Sequence, residues 1–274
     1  IKSHHIAAVT FTNKAAKEMK ERVMQLTGRG GARGLTVSTF HNLGLGIIRQ
    51  ELATAGYKSG FSILDQDDCN GILRDVMHRE HGDDGDMLDM VQNEISNLKN
   101  DLITPEQAIN KAASPQEVLV AQTYSVYQRM LKAYNAVDFD DLIMVPTILF
   151  RDNPEVLTRW QKKIRYLLVD EYQDTNTSQY ELVKLLVGHR NGLTVVGDDD
   201  QSIYAWRGAR PENLSLLKKD FPSLKLIKLE QNYRSTGLIL NAANIVIDNN
   251  PHEFEKKLWS DQGYGDPIKI LKCK

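Results

Sequence analysis

Short apolar runs alternate along the chain with stretches whose apolar positions recur every three or four residues. Five runs read as strands: HIAAVTF (5–11), LTVSTF (35–40), YLLVD (166–170), LTVVGD (193–198) and LKLIKL (224–229). They are mostly β-branched or aliphatic and bounded by polar or turn residues, as strands of a covered parallel sheet should be. After FTN, the residues Ala15, Ala16, Met19, Val23 and Leu26 keep helical spacing until Gly28 stops the run. After EYQDTN, the residues Tyr180, Val183, Leu186 and Val187 do the same as far as Gly188. Strand followed by helix, repeated, predicts an α/β doubly wound domain with a parallel sheet. The interval 45–150 offers no comparable strand run. Its stretches NGILRDVMHRE, DMLDMVQNEISNLKN and PQEVLVAQTYSVYQRMLKAYNAV predict a mostly helical insertion, with the Gly/Asp-rich HGDDGD (81–86) as a loop inside it.

Composition narrows the class. A chain of 274 residues, 41% hydrophobic and 26% charged, is ordinary globular protein with room for one large domain or two to three small ones. No apolar run approaches the ~18 residues needed to span a bilayer, and no secretory leader pattern is present. Cys69 and Cys273 form no C-x-x-C, so a reduced, cytoplasmic setting is expected. The first residue is Ile1, which suggests a chain shortened at its start. The net charge of −2 argues nothing about nucleic acid, but its distribution is uneven. Residues 2–34 carry seven bases against two acids, and residues 65–90 nine acids against two bases. That asymmetry suits a polyanion-facing side and a solvated side, or simply ordinary solvated helix faces.

The candidate chemistry sits at the carboxyl ends of the predicted strands, where open α/β sheets bind ligands. YLLVD ends on Asp170 and continues into Glu171. An aspartate there can hold Mg²⁺, and a neighbouring glutamate can orient and deprotonate a water. Such acids also serve next to a helix start, where Asp174 or Thr175 is the expected cap. VVGDDDQSIYAWRGA (195–209) follows the next strand. Gln201 is placed to sense a terminal phosphate. Tyr204, Trp206 and Arg207 suit stacking on bases, worth about 1–3 kcal/mol per base, although the two aromatics would equally serve a core or a domain interface. Tyr204 and Trp206 are two apart and point the same way if the chain is extended. Phe11-Thr12-Asn13-Lys14 and Ser38-Thr39-Phe40-His41 each join a strand to a helix start. Hydroxyl, amide and helix N-terminal N–H groups can bind a phosphate there, or Thr12 or Asn13 and Ser38 or Thr39 are N-caps and no more. In LEQNYRS (229–235), Tyr233 could stack on a purine and Arg234 could reach a γ-phosphate, or the segment is a surface turn with an ion pair.

Taken together, these segments resemble the superfamily 1A DNA helicases of the Rep/UvrD/PcrA family. TFTNKAA is similar to motif Ia of that family, STFH to motif Ib, VDEYQDTN to motif II, VVGDDDQSIYAWRGA to motif III and LEQNYRS to motif IV. DFDDL (138–142) resembles a family segment just ahead of motif II. NTSQYELVKLLVG and WRGARPENL resemble the Rep branch most. The resemblance covers essentially the whole chain. It implies a RecA-like P-loop NTPase core, with residues 1–45 and 151–231 as domain 1A, 46–150 as the helical domain 1B, and 232–274 as the start of domain 2A. It implies ATP and Mg²⁺ as cofactors, with Asp170 on the metal, Glu171 as base, Gln201 coupling the γ-phosphate to the DNA track, Tyr233 on the adenine and Arg234 as an arginine finger. Such fingers are worth about 10³–10⁵ in turnover. Phe11, Thr12, Asn13, Lys14, Thr39, His41, Tyr204, Trp206 and Arg207 would line the single-strand path. The implied partners are single-stranded DNA, 3′-tailed duplex or fork DNA and replisome proteins, with no membrane, in a bacterial, nucleoid-associated setting.

Three family elements are missing. No glycine in the sequence precedes a lysine, so the phosphate-binding G-x-x-x-x-G-K-[ST] loop is absent. Motifs V and VI are absent as well. The expectation is therefore a fragment of an ATP-dependent 3′–5′ helicase of replication restart or repair, itself inactive. The alternative is a single-strand-binding or partner-binding module without ATPase activity.

Overall fold

The computed structural model describes residues 1–81, 85–190, 192–250, 254 and 256–272. The elements run β1 (Ile6–Thr10), α1 (Asn13–Gly31), β2 (Thr36–Thr39), α2 (Phe40–Gln50), α3 (Leu52–Ala55), β3 (Ser62–Ile63), α4 (Gln66–His81) and α5 (Gly85–Asn100). They continue through α6 (Pro105–Lys111), α7 (Pro115–Ala133), β4 (Ala136–Val137), α8 (Asp141–Asp152), α9 (Pro154–Lys163), β5 (Tyr166–Val169), α10 (Thr177–Val187), β6 (Leu193–Val195), α11 (Glu212–Asp220) and α12 (Gly237–Ile247).

Four of the predicted strands form one parallel sheet in the order β2-β1-β5-β6, with Val9 opposite both Ser38 and Val169, and Val169 opposite Val195. The fold is α/β with a RecA-like core, as expected. One face of the sheet carries the main core. Ala7, Val9, Leu167 and Val169 pack there with Phe40 and Ile47 of α2, Ile143 and Phe150 of α8, Trp160 of α9, and Leu182 and Leu186 of α10. The opposite face is only partly covered at β5 and β6. Leu168 is 37% exposed, and Tyr166 shares a 2.8 Å hydroxyl hydrogen bond with Thr194. These strands therefore alternate, where a sheet covered on both sides was expected.

Two further expectations change. LKLIKL (224–229) forms no strand, and Leu226, Ile227 and Leu229 are exposed. A strand needs a neighbour for its backbone groups, and none of the described strands pairs with this segment. Conversely, the helical interval holds two very short parallel strands, β3 and β4, with Ser62 opposite Ala136 and Ile63 opposite Val137. Otherwise that interval is helical, with its own core of Leu73, Val91, Ile95, Tyr124, Tyr127 and Leu131 drawn from α4, α5 and α7. Of the expected 81–86 loop, His81 ends α4 and Gly85 and Asp86 already begin α5, while residues 82–84 lie outside the described residues, as does Cys273.

Local chemistry explains the element ends. Gly28, at φ +72, breaks the helical geometry of α1 where the pattern stopped. Capping boxes open α6 (Thr104 with Gln107), α7 (Ser114 with Glu117) and α10 (Asn176 with Gln179). The cap of α10 is thus Asn176, not Asp174 or Thr175. Asn offers an oxygen to the Gln179 N–H at 2.9 Å, while the Thr175 hydroxyl is turned back onto the Tyr172 carbonyl.

Close contact between α2 and α8 depends on one glycine. Pro146 sits inside α8 and has no N–H for the Leu142 carbonyl. Gly44 of α2 packs against that carbonyl, and a Cβ on Gly44 would lie 1.7 Å from its oxygen. Any side chain there would force the helices apart.

Candidate functional site

The carboxyl ends of β1, β2, β5 and β6 face the same edge of the sheet because all four run parallel. At β1 and β2 the chain turns directly into helices. Thr12 caps α1 by accepting from the Ala15 N–H at 3.0 Å, and Thr39 caps α2 by accepting from the Asn42 N–H at 3.2 Å. The two turns touch. Asn42 donates from its side chain to the Asn13 side chain at 3.2 Å, and the rings of Phe11 and Phe40 lie 5.5 Å apart. Thr12, Asn13 and Lys14 are exposed, while Thr39 is buried. His41 is mostly enclosed, and that burial holds its imidazole below the usual range, favouring the neutral ring.

Beside His41 stands a residue that sequence reasoning left without a role. Phe139 is 55% exposed, and its ring meets the His41 ring edge-on at 5.9 Å. Its position follows from DFDDL. Asp138 and Asp141 are buried and hydrogen-bonded to each other's backbone or side chain, and both bind Lys99, whose side chain is fully buried. Two inward acids leave the intervening phenylalanine facing out. The available signal was an aromatic residue flanked by acids.

At the end of β5, Asp170 stays in register through its N–H to the Val9 carbonyl at 3.0 Å. Its carboxyl is pushed up by partial burial and then by the neighbouring Glu171. Glu171 is exposed and adopts φ 51, ψ 44, a left-handed conformation that costs a non-glycine residue about 1–2 kcal/mol. The strain turns the chain sharply into the Tyr172–Asp174 turn, anchored by the Tyr172 N–H on the Val196 carbonyl at 2.9 Å.

The same turn links two strand ends through side chains. Gln173 is almost wholly buried. Its amide nitrogen donates to the Glu171 carboxylate at 2.9 Å, and its amide oxygen accepts from the Asp198 N–H at 3.0 Å. The Asp198 carboxylate in turn accepts from the Gln201 side chain at 2.6 Å. Glu171, Gln173, Asp198 and Gln201 thus form one hydrogen-bonded line from β5 to the segment after β6. Gln173 was missed because a single buried amide has no signature in the pattern of a turn.

Beyond Gln201 the chain does not stay extended. Ala205–Arg207 is a 3-10 turn closed by Gly208 at φ 84, so spacing by two does not align Tyr204 with Trp206. Neither is a core residue. Tyr204 is 40% and Trp206 74% exposed. The Arg207 side chain lies outside the described part of the structure.

Tyr233 and Arg234 stand apart from this line. Both are exposed, and their segment is organised locally. The Tyr233 hydroxyl donates to Gln231, the Asn232 side chain accepts from the Arg234 N–H at 2.9 Å, and Gln231 bridges to Trp259. No described contact joins them to Asp170 or Glu171. Instead, Lys256 reaches the site from this part of the chain and forms ion pairs with Asp198, Asp199 and Asp200. The three aspartates lie close enough together to ligate a cation, and here the ammonium holds them.

Comparison with known proteins places the chain in a family. Residues 1–222 match the UvrD/REP helicase N-terminal domain, and residues 227–274 match the UvrD-like helicase C-terminal domain. The chain is 61% identical over 269 residues to the ATP-dependent DNA helicase Rep of Escherichia coli (strain K12), covering 98% of this chain and 40% of that protein. It is 50% identical over 267 residues to the Rep helicase of Buchnera aphidicola subsp. Acyrthosiphon pisum, covering 97% of this chain and 41% of the relative. It is 47% identical over 269 residues to the ATP-dependent DNA helicase PcrA of Staphylococcus aureus (strain Mu50 / ATCC 700699), covering 98% and 37%. The chain therefore spans about two fifths of the length of the curated relatives it matches. Among the described residues no helix is long and apolar enough to cross a membrane. With both domain families matched along nearly its full length, this chain belongs to the UvrD/REP helicase family.

Proposed function

We propose that the chain is a fragment of an ATP-dependent DNA helicase that moves 3′→5′ on single-stranded DNA and acts in replication restart or repair. The observation that carries this is the line Glu171–Gln173–Asp198–Gln201, which runs from two acids at one strand end to the segment bearing exposed Tyr204 and Trp206. A rearrangement at the acids on nucleotide turnover would be felt at the aromatics, and the reverse. On this reading residues 1–45 and 151–231 form domain 1A, residues 46–150 form domain 1B, and residues 232–274 open domain 2A.

The roles follow from chemistry. Two adjacent acids at a strand end, one with its carboxyl pushed up by partial burial and then by its neighbour, suit a divalent cation, which would offset both. Asp170 would hold Mg²⁺, which supplies charge neutralisation on the phosphates when bound. Glu171 orients the attacking water and takes its proton, with Gln173 fixing the carboxylate's direction. Gln201 senses the terminal phosphate. Tyr233 stacks on the adenine and Arg234 reaches the phosphates once their segment closes on the strand ends. Phe11, Thr12, Asn13, Lys14, Thr39, His41, Tyr204, Trp206 and Arg207 line the strand path, and Phe139 joins them through its contact with His41. Thr12 and Thr39 already use their hydroxyl oxygens as caps, so toward a phosphate each would donate its O–H. The partners are single-stranded DNA, tailed duplexes or forks, and replisome proteins.

The residues present meet only part of ATP's needs, since no Gly-rich loop with its lysine is in the sequence. The test is ATP hydrolysis with and without oligo-dT, on this chain and on the longer protein that carries it. We expect no turnover from the 274-residue chain and strand-stimulated turnover from the longer protein. Strand-stimulated turnover by the short chain overturns the fragment reading, and an inert longer protein overturns the helicase. Strand binding has its own check. Trp206→Ala weakens labelled oligo-dT binding in fluorescence anisotropy by about 5- to 150-fold, the equivalent of one lost stacking contact. Unchanged affinity removes Trp206 from the path.

A further inference from the structure

We propose that Asp101 is a positioning residue that couples the helical layer to the two loops of the strand-end site. The inference rests on the proposed function and adds a residue to it from outside the family motifs identified in the sequence.

The end of α5 is fixed from within. Lys99 is fully buried and donates to Asp138 at 2.6 Å and to Asp141 at 2.9 Å, so residues 99–101 are held against the start of α8. Burial works against the ammonium, but Asp138 and Asp141 outweigh it and hold it charged. The next two residues then reach outward. The Asn100 side-chain oxygen accepts from the Asn176 side chain at 2.7 Å, on the residue that caps α10. The Asp101 carboxylate accepts from the Thr177 hydroxyl at 3.0 Å and from the Arg210 guanidinium at 2.8 Å to each oxygen.

Those partners belong to different loops. Asn176 and Thr177 follow the Asp170–Glu171 turn and start α10. Arg210 follows the turn that carries Tyr204 and Trp206. The two loops are also stapled directly, by the Arg210 N–H on the Thr175 carbonyl at 2.9 Å and by the buried Asn213 side chain on the same carbonyl at 2.9 Å. Asp101 is a charged side chain that grips both loops from the helical layer. A shift of the Trp206 turn on strand binding pulls on Arg210, and Asp101 transmits that pull to the α10 cap and to the layer anchored by Lys99.

A purely structural part for Asp101 is disfavoured by its exposure. Its side chain is 34% and that of Arg210 50% open to water, and ion pairs so exposed add little to stability. Removing the pair should leave the fold standing and loosen only the register between the parts.

The test uses the longer protein, measuring ATP turnover without DNA and at saturating oligo-dT, the oligo-dT concentration for half-stimulation, and the melting temperature. Asp101→Asn and Arg210→Ala should each cut the stimulated kcat about tenfold. The unstimulated rate, the KM for ATP and the melting temperature should stay at wild-type values. Asp101→Glu should recover at least half of the stimulation, and the Asp101→Asn/Arg210→Ala double variant should lose no more than either single one. Wild-type stimulation in Asp101→Asn overturns the inference and leaves the helicase reading intact. So does a parallel loss of basal rate and stability that Asp101→Glu fails to rescue. A wild-type protein with no strand stimulation at all overturns both.

Discussion

On the proposed helicase reading, Glu171→Gln in the longer protein is expected to lower strand-stimulated ATP turnover by about 10²–10⁴, the range for loss of a positioned general base. The substitution keeps the size and the hydrogen-bonding shape of the side chain. It removes the negative charge beside Asp170 and with it the capacity to take a proton. The left-handed backbone of Glu171 is retained, because the Tyr172 N–H still binds the Val196 carbonyl and Gln173 stays buried between the two strand ends. Gln173 currently donates to a Glu171 carboxylate oxygen at 2.9 Å, and the side-chain oxygen of a glutamine can accept the same bond. Oligo-dT affinity should therefore stay near wild type while turnover falls. Steady-state hydrolysis and anisotropy titration on the same preparation check the two halves. Turnover within threefold of wild type would remove Glu171 from the role of base, and the line to Gln201 would then be structural.

Lys99→Met destabilises the chain by about 3–5 kcal/mol, the cost of breaking a buried ion pair by removing one partner. That is a large share of the 5–15 kcal/mol that holds a typical domain together. The Lys99 ammonium is the cation in hydrogen-bonding reach of both Asp138 and Asp141. Tyr127 donates to Asp138 at 3.0 Å and Gln128 to Asp141 at 3.2 Å, so the carboxylates would keep some hydrogen bonds but lose their countercharge. Asp140, beside them, has its carboxyl pushed up by burial and then by Asp138, the direction expected where further negative charge is disfavoured. Urea denaturation of the chain measures the loss. Adding Asp138→Asn to Lys99→Met should restore part of it, because the second change removes an uncompensated charge. A Lys99→Met midpoint equal to wild type would mean that water already screens the cluster.

Sequence by itself determined the elements whose cause is local. Four strands were readable because buried parallel strands are short apolar runs, and α1 and α10 because their apolar residues recur on one helical face. Gly28 marked the break in α1 and Gly188 the end of α10 because only glycine accepts those backbone angles easily. The acids, amides and aromatics at strand ends were readable as candidates, since a polar cluster directly after an apolar run is placed at the sheet's edge. Family resemblance then assigned them roles that no spacing could.

Tertiary structure decided what depends on partners distant in sequence. LKLIKL has a strand's composition and no strand's structure, because pairing needs a neighbour and propensity cannot supply one. β3 and β4 are too short to show as patterns and exist because Ser62–Ile63 and Ala136–Val137 happen to meet. Trp206 faces solvent and Tyr204 is not aligned with it because the intervening chain turns. Nothing in the pattern around Lys99 marks it as buried, yet two aspartates some forty residues away draw it wholly inside. That inward pull leaves Phe139 beside His41 and sets Asp101 where two loops meet. Hydrophobic periodicity reports which face of an element is buried. A buried charge or amide is placed by the groups that satisfy it, and those come together only when the chain has folded.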